Sequence, residues 1–158
     1  MIGKFSNAQS FYPDVTNYEI HLHNVNHTTK NITATTKVKF TVITNNTSQI
    51  DLSLEQFTID SLLQNGQPLT YTYNDTLIRI NLSTPMNIGD TSTIQISYHG
   101  IAHTEASGWG GFHVDANYAF NMGVGFETDP HNYGRSWYPC VETFTDKATY
   151  DFFITTNL

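Results

Sequence analysis

Residues 15–25, VTNYEIHLHNV, alternate with a period of two: Tyr18, Ile20, Leu22 and Asn24 fall on one face, Glu19, His21 and His23 on the other. Only an extended strand sends successive side chains to opposite sides, so this segment reads as a strand with one face buried. The same pattern returns in ITATTKVKFTVIT, where Val38, Phe40 and Val42 share a face, and in TSTIQISYHG, where Ile94, Ile96 and Tyr98 do. NHTTKN between the first two strands reads as a turn, which makes them a long hairpin. The stretch QIDLSLEQFTIDSLLQNGQPLTYTYNDTLIRINL reads as four short strands, with Asn65-Gly66 and Asn74-Asp75 as the clearest hairpin turns. KATYDFFIT is a last alternating strand, and TEASGWGG is a break whose glycines imply unusual backbone angles or close approach. No segment keeps a helical period beyond a turn or two. The expectation is a single all-β domain over residues 1–158, a sandwich or open barrel of mostly antiparallel strands with little helix.

Composition agrees. Charged residues make up 13% of the chain, about half the usual share, and 23 Thr and 15 Asn supply the polarity instead. Thr favours strands and Asn favours turns. At 158 residues and 39% hydrophobic, the chain can bury a core, and no run approaches the length of a membrane-spanning helix. With seven Lys and Arg and a net charge of −7, there is no basic stripe to engage a phosphate backbone, which argues against nucleic acid as a partner. An acidic surface suits a cationic substrate group or plain solubility.

Cys140 is the only cysteine, so an internal disulfide framework and a thiolate metal cluster are excluded. Sequons such as Asn26-His27-Thr28 and Asn74-Asp75-Thr76 are expected by chance in a chain this rich in Asn and Thr. The N-terminus, MIGKFSNAQSFYPDV, has no apolar core of a signal peptide. Thr and Asn richness together with this terminus favour a periplasmic or secreted location. Of the seven histidines, His21 and His23 share a strand face and His99 and His103 flank a turn, but none forms an H-E-x-x-H pair. Exposed strand and loop histidines explain them without a metal.

The densest segment is GRSWYPCVETFTDKATYDFFI, residues 134–154. Taken with VTNYEIHLH, the QIDLSLEQFTIDSLLQNG unit, TIQISYHG and GWGGF in that order, it resembles the N-terminal domain of aminopeptidase N-type zinc peptidases. The resemblance runs from about Asp14 to Ile154, and its most specific element is RSWYPC followed by DKATYDFFI. It implies a saddle-shaped β domain leaning over a thermolysin-like catalytic domain that these residues do not include, as the domain's partner in the same chain. It also implies zinc in the parent enzyme and none in these residues, since H-E-x-x-H and the G-x-M-x-N loop are both absent. The chain stops directly after an apolar strand, so more polypeptide is expected to follow.

In such enzymes a Gln or Glu in a loop before the motif arginine binds the free α-amino group of the peptide. In NMGVGFETDPHNYGRSW the resemblance points to Glu127, with Asp129 as the second candidate; DPHNY reads as an insertion between that acid and the arginine. A carboxylate opposite an ammonium selects which end of a peptide enters. Among the motif residues, Arg135 is expected to hold a carboxylate or carbonyls near a turn. Trp137 and Tyr138 are expected to fill the seam between layers, and Pro139 to end strand pairing. Cys140 is expected to be a buried small hydrophobe rather than a nucleophile. Two other readings remain open: a non-catalytic scaffold on the same fold, and a free-standing β-sandwich module binding carbohydrate or protein. The 13% aromatic content would suit stacking on sugars, although most aromatics sit at alternating strand positions and read as core.

Overall fold

The computed structural model describes residues 11–155; residues 1–10, which carry most of the N-terminal reading, and residues 156–158 lie outside the described residues. The long alternating segments form β1 (Asp14–Val25) and β2 (Asn31–Thr41), joined by a turn in which the Asn26 side chain accepts the amides of Thr28 and Thr29. After them come β3 (Thr47–Ser53), β4 (Thr58–Gln64), β5 (Gln67–Pro68), β6 (Tyr71–Tyr73), β7 (Leu77–Met86) and β8 (Thr91–Ile101). The region expected to hold four strands therefore holds five. The extra one is the two-residue β5, which the Asn65-Gly66 turn folds back onto β4. Both turn residues have positive φ, 52° and 78°, the geometry that matches the twist of paired strands. The rest comprises β9 (Gly111–Val114), β10 (Ala119–Met122), one 3-10 turn (Gly134–Ser136) and β11 (Thr149–Ile154). Among the described residues no helix is long and apolar enough to cross a membrane.

Three sheets result. The largest runs β11-β1-β2-β8-β4-β5, the second β3-β7-β6, and β9 pairs with β10 alone. All pairings are antiparallel except β1 with β11, which is parallel from Asn17↔Thr149 to Leu22↔Ile154. The fold is all-β and sandwich-like. Its core lies where the apolar faces of the two larger sheets meet. Tyr18, Ile20, Val38, Phe40, Ile94, Ile96 and Tyr98 come from one, and Ile50, Leu52, Ile78 and Ile80 from the other.

Two polar ties support this arrangement, one between the two larger sheets and one within the smaller of them. Gln64, at the end of β4, accepts the amide and hydroxyl of Ser83 on β7 and donates to Ser92 on β8, so it spans both sheets. The fully buried Asp51 of β3 takes two 2.9 Å bonds from Arg79, its register partner on β7, and the amide of Phe11.

The aromatics depart from the expectation that most are core. Trp109, Tyr118, Phe120, Phe126 and Phe144 stand exposed after β8, as do Tyr150, Phe152 and Phe153 on β11. The physical reason is that alternation buries a face only where a second layer covers it. Among the described residues β10 and β11 have no such cover, whereas β9 sends Phe112 and Val114 into the core. On β11, Tyr150 and Phe152 stack against Tyr18 and Trp137, while Phe153 lies flat on the His21 ring at 4.5 Å.

Ile96 sits on a strand paired on both sides and is wholly buried. Ile96→Ala is expected to cost about 3–4 kcal/mol by loss of transfer energy and creation of a cavity, read as a lower urea midpoint at unchanged slope.

Candidate functional site

The chain between β10 and β11 carries the residues singled out by sequence, and it is nearly free of regular structure. Residues 123–133 form a loop closed on itself. Gly125 donates to His131 O at 2.8 Å, Tyr133 donates to Gly123 O at 3.2 Å, and Val124 bridges Asn132. Glu127 and Asp129 lie near its tip, and both are exposed. The DPHNY residues form the return limb of this loop.

What holds the tip is a residue the sequence reading passed over. Glu105, only 6% exposed, follows β8 in the break TEASGWGG. Its Oε1 accepts the amides of Glu127 (2.5 Å) and Thr128 (3.2 Å); its Oε2 accepts the amide of Phe126 (2.8 Å) and the hydroxyl of Ser107 (2.5 Å). Burial alone would push this carboxyl up, but the four donors outweigh it and hold its pKa down to about 2. The glycines of this region serve that close approach. A Cβ on Gly125 would lie 2.8 Å from Glu105 Oε1, and one on Gly111, whose φ is +102°, would lie 2.2 Å from His103 O. The available signal was a lone acid in a glycine-rich break, opposite a second glycine-bearing loop.

The motif residues lie at the base of this loop and turn inward. The Arg135 guanidinium bonds Glu142 Oε2 at 2.8 Å and approaches Glu55 Oε2 at 3.4 Å, and its own amide donates to Glu142 Oε1 at 2.8 Å. Arg135 also lies over the Tyr133 ring. Trp137 and Tyr138 are core members packed edge to face, and Tyr98 donates to Trp137 O at 2.9 Å. Pro139 is buried, and the residue after it, Cys140, pairs through both backbone groups with Ser53 of β3. Glu127 and Asp129 thus stand at the exposed end of the segment and Arg135 at its packed end. The structure gives Arg135 acidic partners of its own, Glu55 and Glu142.

Cys140 sits as a buried small side chain. Its thiol donates to Glu142 Oε1 at 3.2 Å, and burial together with the Glu142 charge pushes its pKa well up. The histidines are spread out. His21 bonds Glu19, which also takes Lys37, and His99 bonds Asp60. Among the described residues no three His, Cys, Asp or Glu side chains converge to hold a metal ion.

Beside the loop, a cavity of about 580 Å3 opens between the ends of β1 and β11 and the β9–β10 hairpin, with Phe112, Phe120, Trp137 and Phe152 in its wall. A smaller one of about 230 Å3 is lined by Val124, Asn132, Tyr138, Glu142 and Phe144.

No protein-family model and no curated protein sequence matches this chain. Solved structures do. An M1 zinc metallopeptidase from Deinococcus radiodurans, in a mutant form bound to a Tyr-Ser-Ala substrate, superposes with a TM-score of 0.75 at 19% identity over 89% of this chain. A two-domain M1 zinc metallopeptidase mutant bound to L-arginine gives a TM-score of 0.75, also at 19% identity over 89% of this chain. Yeast LTA4 hydrolase in complex with bestatin gives 0.62 at 14% identity over 97%. This chain covers 32%, 32% and 25% of those chains respectively, so it spans about a third of their length or less. At these identities what is shared is the fold, and the chain has the fold of a part of these metallopeptidases.

Two measurements check the base of the loop. Glu142→Ala strips the acceptor from the Arg135 guanidinium, the Arg135 amide and the Cys140 thiol at once, and is expected to cost about 2–3 kcal/mol in chemical denaturation. Cys140 is expected to resist a disulfide reagent at pH 8 while folded and to react at once in denaturant; fast labelling of the native chain would contradict its burial.

Proposed function

We propose that these residues form the N-terminal, non-catalytic domain of a zinc aminopeptidase, shaping one wall of the substrate cleft and helping anchor the free amino group of a peptide. The observation that carries this reading is the shared fold, matched over 89% of this chain by structures three times longer, one of them holding a peptide substrate. RSWYPC followed by DKATYDFFI, the motif on which the family resemblance rests, supports it. Zinc and the hydrolytic chemistry belong, in this reading, to the remainder of the parent protein, and these residues alone hydrolyse nothing. Their part is binding.

Glu127 is the residue assigned to the amino group, with Asp129 the alternative. Its side chain is exposed while its amide is fixed, which is the arrangement a charged anchor needs. An ammonium brought against it in a partly dehydrated cleft would gain a charge-assisted hydrogen bond.

In the parent protein, Glu127→Ala is expected to raise KM for peptides with a free N-terminus roughly 10- to 100-fold, the loss of one charged hydrogen bond. Asp129→Asn is expected to leave KM nearly unchanged; the opposite ranking would transfer the role to Asp129. Metal analysis of the parent protein is expected to find zinc. A zinc-free protein of the same fold would instead be the scaffold homologue.

A further inference from the structure

We propose that Glu105 is the positioning residue of the amino-group site, fixing the backbone of the loop that presents Glu127; this rests on the reading of Glu127 given above. The geometry is specific. One buried side chain accepts three consecutive amides, those of Phe126, Glu127 and Thr128, so the loop is wrapped around its carboxylate. The same carboxylate takes the Ser107 hydroxyl, and the Glu105 backbone donates its amide to Gly110 O and accepts the Gly108 amide. Two loops are thereby tied to one residue. Each presents an exposed aromatic, Trp109 and Phe126, whose rings meet edge to face at 6.4 Å.

The other bonds that close the loop, Gly125 to His131 and Tyr133 to Gly123, join its two limbs and leave the amides of residues 126–128 to Glu105. Among the described residues no Lys or Arg is ion-paired with Glu105, so its charge is met entirely by hydrogen-bond donors. A Gln would turn one acceptor into an NH2 facing a backbone N–H, leaving donor against donor. Its negative charge, next to the position of Glu127, also adds to the field that would receive an ammonium. Glu105 does not touch the ligand in this account; it acts through Glu127.

The sign of its pH dependence is set. A carboxyl held below its ordinary value of 4.5 in the folded loop contributes order that is complete above about pH 4.5 and is lost as pH falls through about 2. Other titratable groups on the elements packed here are Glu127, Asp129, His131, Tyr133, His103 and His113. Of these, Tyr133 feels the Glu105 charge, after burial, Glu55 and the opposing Arg135 charge as larger causes.

The test uses the 158-residue chain and amide NMR. The Phe126, Glu127 and Thr128 amide protons are expected to share one shift as pH falls from about 4.5 towards 2, and Glu105→Gln is expected to remove that shared component. At neutral pH, Glu105→Gln is expected to speed amide exchange at Glu127 and Thr128 by about tenfold or more while leaving β2 and β8 protected. Ser107→Ala, which keeps the carboxylate, is expected to retain the titration. Absence of the shared titration in the native chain, or unchanged exchange in Glu105→Gln, overturns the proposal. In the parent protein, Glu105→Gln is expected to raise KM for free-amine peptides more than it lowers kcat. If the loop loosens as described while Glu127→Ala leaves KM unchanged, the amino-group reading fails and the positioning of the loop by Glu105 stands.

Discussion

The segment from Tyr133 to Glu142 passes through the interior without being a strand or a helix beyond one short turn, so its peptide groups must find partners one at a time. They draw on both sheets. Arg135 O takes the amide of Glu55, Ser136 O that of His103, and Cys140 exchanges two bonds with Ser53. Tyrosine hydroxyls from the large sheet complete the set: Tyr98 donates to Trp137 O, and Tyr18 accepts the Val141 amide. These two buried tyrosines are where the sheet core and the irregular segment become one body. The desolvated phenols, both with pKa values pushed up by burial, stay neutral and can serve as donor or acceptor as needed.

That constraint explains the bulk gathered around one arginine and one cysteine. Trp137 and Tyr138 extend the apolar core under the loop, and Arg135 with Glu142 and Glu55 supplies the charged pairing that such a buried turn needs. The segment is architecture, and its consequence lies one step away. A rigid base lets the loop above it hold exposed side chains without a regular element beneath them. Glu105 performs from one side what the motif performs from below.

Period two made the large sheet legible. Tyr18, Ile20 and Leu22, or Ile94, Ile96 and Tyr98, could hardly face anything but a core, and the Asn65-Gly66 turn fixed its hairpin through φ values few other residues tolerate. The same rule misled on β11. Tyr150 and Phe152 alternate as a buried strand would, yet lie exposed, because alternation records a preference and cannot say whether a second layer exists. The site was less legible still. Glu127 was named through family resemblance, whereas the residues that organise it act through backbone groups far away in sequence. Three amides contributed by Phe126, Glu127 and Thr128 leave no side-chain pattern for Glu105 to be read from. Glu142 was nearer to hand, two positions after Cys140 and on the same side of the chain, but its acceptor role appears only once Arg135 folds back.

The parallel pairing of β1 with β11 sets an order of events during synthesis. Asn17 cannot meet Thr149 until more than a hundred intervening residues have left the ribosome, so the outer edge of β1 stays open while the rest of the sheet assembles. Through that interval Tyr18, Ile20 and Leu22 belong to a strand whose free backbone groups can recruit any extended neighbour. A nascent chain of this kind is safest when its partner strand arrives quickly. Slow codons or stalling placed shortly before β11 would therefore favour aggregation over the native sheet.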